Sequence, residues 1–329
     1  MFSTTLRPTP FRTALAAGLV AGLMGTTIPA GAALAQSAGT WSVESPLPDV
    51  RVEVAAVALN GRLHALGGNK DLKAGPYHDE YDPRTNTWRT EAPMPQARDH
   101  LAVAAADGKI YAFGGFATPV HKNASNDAFD YDPATDSWRV LPSMTVARGS
   151  AGAAAVNGRI HVIGGRGLDG IVVAAHEVFD TTSGTWSDAA PLPKARDHMV
   201  VVAVDGKVHV IGGRFKGPLN FTGEHDVYDP ATNTWSEAAP LPTPRSGIAG
   251  TYYHGMIIVV GGELPDHTLP DNEGYDPNTN RWVTLSPMPH GRHGFGGGTI
   301  DDNAWFVGGS LIPGDGGPTD QLLKFHIDP

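Results

Sequence analysis

The sequence predicts an all-β fold in which six four-stranded sheets surround one axis, a six-bladed β-propeller. Three regularities carry this prediction. A Gly-Gly pair closes an apolar run six times, beginning at Gly67, Gly114, Gly164, Gly212, Gly261 and Gly308. A tryptophan recurs at Trp41, Trp88, Trp138, Trp186, Trp235 and Trp282, each followed ten residues later by an arginine: Arg51, Arg98, Arg148, Arg196, Arg245 and Arg292. Every one of these arginines stands sixteen residues before its Gly-Gly. Self-similarity at one period marks a repeat architecture, and the period here is about 49 residues. The 41 glycines and 27 prolines suit many short strands joined by many turns.

Residues 1–35 read as a secretion signal. Arg7 and Arg12 precede the apolar stretch Ala14–Met24, and Ala33-Leu34-Ala35 supplies small residues for cleavage. An uncleaved anchor is the competing reading, which Pro29 and the Ala-Leu-Ala ending disfavour. The expected layout is a signal over 1–35 and a single propeller domain over 36–329, destined for the periplasm or the exterior. No later stretch is long and apolar enough to span a bilayer, so no stable membrane insertion is expected after cleavage. Loss of the two arginines takes the formal net charge from −10 to −12. Such an acidic chain has no general attraction for nucleic acid. Cysteine is absent, which excludes disulfides, zinc–thiolate sites and thiol catalysis.

Within each unit the first two strands are joined by a tight turn. Asn60-Gly61, Asp107-Gly108, Asn157-Gly158 and Asp205-Gly206 are hairpin signals, because a type I′ turn needs positive φ at both central residues. His254-Gly255 is a looser version, and Asp301-Asp302 departs from the pattern. The third strand ends in an aromatic-Asp pair, at Tyr81, Tyr131, Phe179, Tyr228 and Tyr275, seven residues before the next Trp. The Asp-Pro that often follows is read as a turn element. The fourth strand carries the Trp. First strands are rich in Ala and Gly, as crowding near an axis demands. Trp41 precedes any first strand and the sixth unit lacks a fourth, so the segment around Trp41 should complete the last blade and close the ring.

The order Arg, apolar strand, Asn/Asp-Gly, apolar strand, Gly-Gly, Tyr-Asp-Pro, Trp resembles the kelch repeat, over residues 41–329. The resemblance implies a six-bladed propeller, of a kind found in exported bacterial proteins, and leaves function open, since kelch propellers serve as peptide binders, carbohydrate-active modules and enzymes.

Only the distance from the second Gly of the pair to the aromatic varies, between 13 and 16 residues. All length variation thus falls in the loop between strands two and three, on the same face as the arginines. That face is the expected working face. The six arginines have two readings: pairing with third-strand acids such as Asp79, Glu177, Asp226 and Glu273, or a guanidinium ring for an anion. The two residues after each Arg differ between blades, among them Val52-Glu53, Asp99-His100, Ser150, Asp197-His198, Ser246 and His293. So do the residues after each Gly-Gly: Asn69, Phe116, Arg166, Arg214, Glu263 and Ser310. In kelch propellers that bind peptides the matching positions contact ligand. By that resemblance Arg98, Asp99, His100, Arg148, Ser150, Arg166, Arg196, Asp197, His198, Arg214, Arg245, Ser246, Glu263, Arg292, His293 and Phe116 would line a polar funnel for a glycan, peptide or acidic small molecule.

His64, His161 and His209 recur in second strands and are expected to be packed there. His100, His198 and His293 begin first strands on the funnel, yet no close-spaced ligand pattern such as H-E-x-x-H accompanies them, and neither metal nor cofactor is expected. A copper radical oxidase similar to galactose oxidase needs a cysteine–tyrosine crosslink, which this chain cannot form. The primary reading is a binding module. The alternative is an isomerase or mutarotase acting on an acidic sugar, similar to N-acetylneuraminate epimerase, with Glu263 as base beside an arginine that holds the carboxylate.

Overall fold

The computed structural model describes residues 1–2, 38–118, 122–216 and 220–328. The expected signal, 1–35, lies almost wholly outside them. Among the described residues no helix is long and apolar enough to cross a membrane.

Six four-stranded antiparallel sheets follow one another. Blade 1 comprises Ala55–Leu59, Arg62–Leu66, His78–Asp82 and Thr87–Thr90, and blade 2 Ala102–Ala106, Lys109–Phe113, Ala128–Asp132 and Ser137–Val140. Blade 3 holds Gly152–Val156, Arg159–Ile163, His176–Asp180 and Thr185–Asp188, and blade 4 Val200–Val204, Lys207–Ile211, His225–Asp229 and Thr234–Glu237. Blade 5 spans Ala249–Tyr253, Met256–Val260, Asn272–Asp276 and Arg281–Thr284. Blade 6 takes Gly296–Ile300, Asn303–Val307 and Leu322–His326 from the end of the chain, and its outer strand, Thr40–Glu44, from the beginning. Trp41 there pairs with Phe325 in register and packs on Phe306 and Phe325. The expected closure is present.

The hairpin turns follow the Asn/Asp-Gly rule, with φ of 50° and 73° at Asn60 and Gly61. Asp301 takes the same role without a following glycine, at φ 49°. The first strands of neighbouring blades touch all round the ring. A Cβ on Gly296 would lie 2.3 Å from the Ala56 nitrogen, which explains the glycine there.

The repeated spacings are hydrogen-bond geometry. Sixteen residues is the distance over which an arginine reaches the Gly-Gly carbonyl of its own blade: Arg51 to Gly67, Arg196 to Gly212, Arg245 to Gly261 and Arg292 to Gly308. The second glycine then donates its N–H to the arginine carbonyl of the next blade. This happens at all six junctions, from Gly68 to Arg98 through to Gly309 to Arg51. Both glycines have positive φ, and a Cβ on Gly114 would stand 2.1 Å from the Arg148 carbonyl oxygen. The outer rim is tied likewise. The six outer-strand Trp indoles each donate to a backbone carbonyl of a neighbouring blade, as Trp41 does to Ser286 and Trp88 to Ser45.

Candidate functional site

The arginines follow the first of their two readings. Arg51, Arg148, Arg196, Arg245 and Arg292 are fully buried. Four of them form ion pairs with the expected acids, Arg51 with Asp79 (2.5 Å), Arg196 with Asp226 (2.7 Å), Arg148 with Glu177 and Arg245 with Glu273. Arg98 pairs with Asp127. Arg292 bonds to the neutral Gln321 amide (2.6 Å), and burial pulls its guanidinium down to about 10. A ligand-facing guanidinium ring gives way to a frame role for Arg148, Arg196, Arg245 and Arg292, each enclosed by its own blade, while half-buried Arg98 is held by Asp127 and the Ala97 carbonyl.

The paired histidines of the second and third strands are also frame. His64, His161 and His209 each contact a third-strand histidine, His78, His176 and His225, through ring nitrogens 2.9–3.0 Å apart. The latter three face the carbonyls of Ala92, Ala190 and Ala239 with Nδ1. Burial lowers all six imidazoles to about 3–4, so they are neutral at pH 7.

The two variable positions named from the sequence meet in every blade. The residue after each arginine forms an antiparallel bridge with the residue after each Gly-Gly: Val52 with Asn69, Asp99 with Phe116, Gly149 with Arg166, Asp197 with Arg214, Ser246 with Glu263 and His293 with Ser310. One residue further on, a second hydrogen-bonded ring encircles the axis. His100 N donates to Glu53 O, Ser150 N to His100 O, His198 N to Ser150 O, Gly247 N to His198 O and Gly294 N to Gly247 O; Val54 N closes it on Gly294 O. Glu53, His100, Ser150, His198, Gly247 and Gly294 all have φ between 54° and 66°. This backbone path needs only left-handed residues. Glycine satisfies it in blades 5 and 6, yet blades 1 to 4 place side chains there at a cost of order 1 kcal/mol each.

Those side chains form a constriction between two spaces. Below lies a channel of about 170 Å³ lined by the first strands. Above, on the face of the variable loops, opens a mouth of about 440 Å³ bordered by Glu53, His198, Arg214, Glu263, His293 and Asp315. Phe221, Leu264 and Pro313, from the loops of blades 4, 5 and 6, complete its wall. Arg214 is its hub. Nε donates to Asp197 Oδ1 (3.0 Å), Nη1 to Glu263 Oε1 (3.3 Å), and Nη2 stands 3.3 and 3.2 Å from the two ring nitrogens of His198. Arg166 Nε donates to the other Asp197 oxygen (2.7 Å). His293 turns Nε2 toward the carbonyls of Ile312 and Gly314 (3.1 and 3.0 Å) and Nδ1 toward Glu263 and Glu53 (3.6 and 3.7 Å). Burial and the nearby Asp315, Glu263 and Asp99 raise the Glu53 carboxyl well above its usual range. Desolvation lifts Asp99 to about 7.

The funnel is thus narrower and drier than the sequence implied. Asp99, Asp197, Ser246 and Phe116 are essentially inaccessible and support the rim from beneath. Phe116 packs edge-on against the His100 ring. His100, Ser150, His198, Arg214, Glu263 and His293 remain at or beside the constriction, and Arg166 is half-buried next to it. Glu53 and Asp315 join them as groups that sequence reasoning left off its list of site residues. Glu53 carried a signal, its place two residues after Arg51; Asp315 sits in a loop without any repeat to mark it.

The chain is a six-bladed β-propeller of kelch repeats. Residues 146–309 match the KLHDC2/KLHL20/DRC7 Kelch-repeats domain, and residues 97–145 the Kelch motif. In fold it is similar to the solved structure of YjhT, with a TM-score of 0.73 at 20% identity over 86% of this chain and 97% of that one. No curated protein matches it in sequence. Because 993 solved chains share the likeness, fold alone selects no activity.

Proposed function

We propose that the mouth above the constriction binds a small acidic sugar and interconverts its anomers. The observation that carries this is the convergence of Arg214, Glu263 and His293, from three different blades, on one open mouth. The Arg214–Glu263 contact is long enough at 3.3 Å to be exchanged. A substrate carboxylate takes the place of Glu263 at Nη1, which leaves Glu263 to act as base. Glu263 then removes the proton of the anomeric hydroxyl as the ring C–O bond breaks and a carbonyl forms. The released ring oxygen takes a proton from His293, whose two nitrogens both face acceptors. Rotation and reclosure on the other face reverse both transfers, so protons and electrons balance without a co-reactant. Phe221 and Leu264 supply apolar wall for a sugar face.

Saturation-transfer NMR on anomeric mixtures of acidic sugars tests this. The wild-type protein should accelerate exchange, and Glu263→Gln should slow it by about a hundredfold or more. Arg214→Met should weaken binding of the acidic sugar about ten- to a hundredfold. Binding without any acceleration would return the protein to a binding module, and an unchanged Glu263→Gln rate would remove the assigned base. We also propose export, on the character of residues 1–35. N-terminal sequencing of secreted protein should then begin at or near Gln36, and recovery of intact Met1 chain in membranes would refute it.

A further inference from the structure

Two of the three side chains that the sugar chemistry uses are already engaged by the chain's own backbone. His293 Nε2 lies 3.1 Å from the Ile312 carbonyl oxygen and 3.0 Å from that of Gly314, and the Gly314 N–H donates to Glu263 Oε2 at 3.4 Å. Ile312 and Gly314 belong to one loop of blade 6, residues 311–317, between its second and third strands. Carbonyl oxygens only accept, so Nε2 carries a hydrogen to meet them. The proposed proton donor and the proposed base are both occupied before a ligand arrives.

The loop is folded mainly on itself. The Leu311 N–H donates to Gly317 O (2.9 Å), and Ser310 Oγ donates to Ile312 O (2.7 Å) while accepting from the N–H groups of Ile312 and Gly317 (3.3 and 3.2 Å). Leu311 and Ile312 are 37% and 50% exposed, so neither anchors the loop in a core. The base is fixed: Ser310 is fully buried and bridged to His293, and Thr268 Oγ1 of blade 5 donates to Leu311 O (2.8 Å). The tip is a single 3-10 turn, Gly314–Gly316, with no buried residue. Among the described residues, the tip's hydrogen bonds to the rest of the molecule go to His293 and Glu263 alone. Gly314 has φ 69° and nothing within 4 Å of the place a Cβ would take, an uncrowded pivot. A segment with so little apolar burial opens at low free energy while the frame stays closed.

The closed tip also sets the charge of the mouth. Asp315 borders the opening, and after burial it is the strongest influence raising the Glu53 carboxyl. It adds a carboxylate beside Glu263 in the space that an anion must cross to reach Arg214. Withdrawal of the tip would free His293 and Glu263 and carry Asp315 away in the same movement.

We propose that residues 311–317 form a self-inhibitory flap: His293 and Glu263 latch its tip over the mouth, and its release admits an anionic ligand. The charge of that ligand rests on the sugar reading; the latch does not. Opening is local, because Ser310 and Thr268 keep the base in place.

The chain has no cysteine, so a single Gly316→Cys substitution carries a nitroxide label on the tip, and Leu168→Cys carries the control label on the exposed loop of blade 3. Electron paramagnetic resonance then reads the ratio of mobile to immobile label. His293→Ala should raise that ratio at the tip about fivefold or more, as the loss of one or two hydrogen bonds implies, and leave the blade-3 label unchanged. Glu263→Ala should raise it as well, and decides the matter if circular dichroism shows that His293→Ala does not fold. Saturating glucuronate should raise the ratio in the otherwise wild-type chain, whereas glucose should not. In the unlabelled chain Asp315→Asn should tighten glucuronate binding about three- to tenfold by calorimetry, with no gain for glucose. Tip mobility unchanged in both latch variants would overturn the flap. So would glucuronate binding with the tip still immobile, or equal loosening of the blade-3 label, the mark of general destabilisation. A tip that loosens in the latch variants while glucuronate does not bind would count against the sugar reading and leave the latch standing.

Discussion

In each blade one short segment carries two residues with opposite histories: the arginine, and the residue two positions after it. The arginine is the same six times over, and its environment is nearly so, enclosed by its own Gly-Gly and, in five blades, by a carboxylate. The second residue is Glu, His, Ser, His, Gly and Gly in turn, although all six share one backbone conformation and one hydrogen-bonded ring. The difference teaches where selection for folding ends. The frame needs a buried guanidinium, because no other side chain satisfies a third-strand acid and two carbonyls at once. The inner ring constrains only backbone, so its side chains are free to differ. Blades 5 and 6 show what is taken up by such freedom. The space beside Gly247 is filled by His293, and that beside Gly294 by Glu53.

The contrast can be broken most severely at the ring closure. Deleting residues 38–47 removes the outer strand of blade 6 and Trp41, exposes a sheet edge and uncovers Phe306 and Phe325. The paired strand and its half-buried Trp41 are lost together, so the truncated chain should aggregate or melt far below the full one. An unaltered melting curve would disprove the closure. Next comes the frame itself. Arg148→Met strands Glu177 without a cation, and urea denaturation should show a loss of about 3–5 kcal/mol. Arg292→Met leaves only the uncharged Gln321 amide and should cost about 1–3 kcal/mol. Equal losses would show that the carboxylate partners contribute nothing special.

A milder test uses acid. The six buried frame histidines have pKa values of about 3–4, against an ordinary value of about 6.5. Between those limits the unfolded chain binds the extra protons. Stability from this source is complete above about pH 6.5 and declines as the pH falls toward 4. Melting followed at stepped pH should show that decline, and a flat profile would mean that these rings accept protons without unfolding. The smallest effect belongs to the inner ring. Ser150 sits at φ 54°, where glycine is at ease, so Ser150→Gly should leave the melting temperature unchanged or slightly raised. A loss of several degrees would place Ser150 in the frame after all.

Much of the frame was legible in the chain. Constant spacings between Trp, Arg and Gly-Gly fixed the blade count, the closing strand and the acids that meet four of the arginines, because each repeated contact is made locally, within a blade or to its neighbour. The face that carries the variable loops was legible too, since loop length varies on one side only. The state of the site residues was not. Nothing in the sequence distinguishes Asp197, sealed beneath two arginines, from Glu263 at the mouth, since both follow the same kind of repeat landmark. The convergence of Glu53, His100 and His198 was equally hidden, for they stand 47 and 98 residues apart and no local pattern links them. Sequence alone determined the units and their order, through short-range hydrogen bonding and turn chemistry. Only the closed ring decided which side chains meet, because circular closure brings the same position of every blade to one axis, where distance along the chain no longer counts.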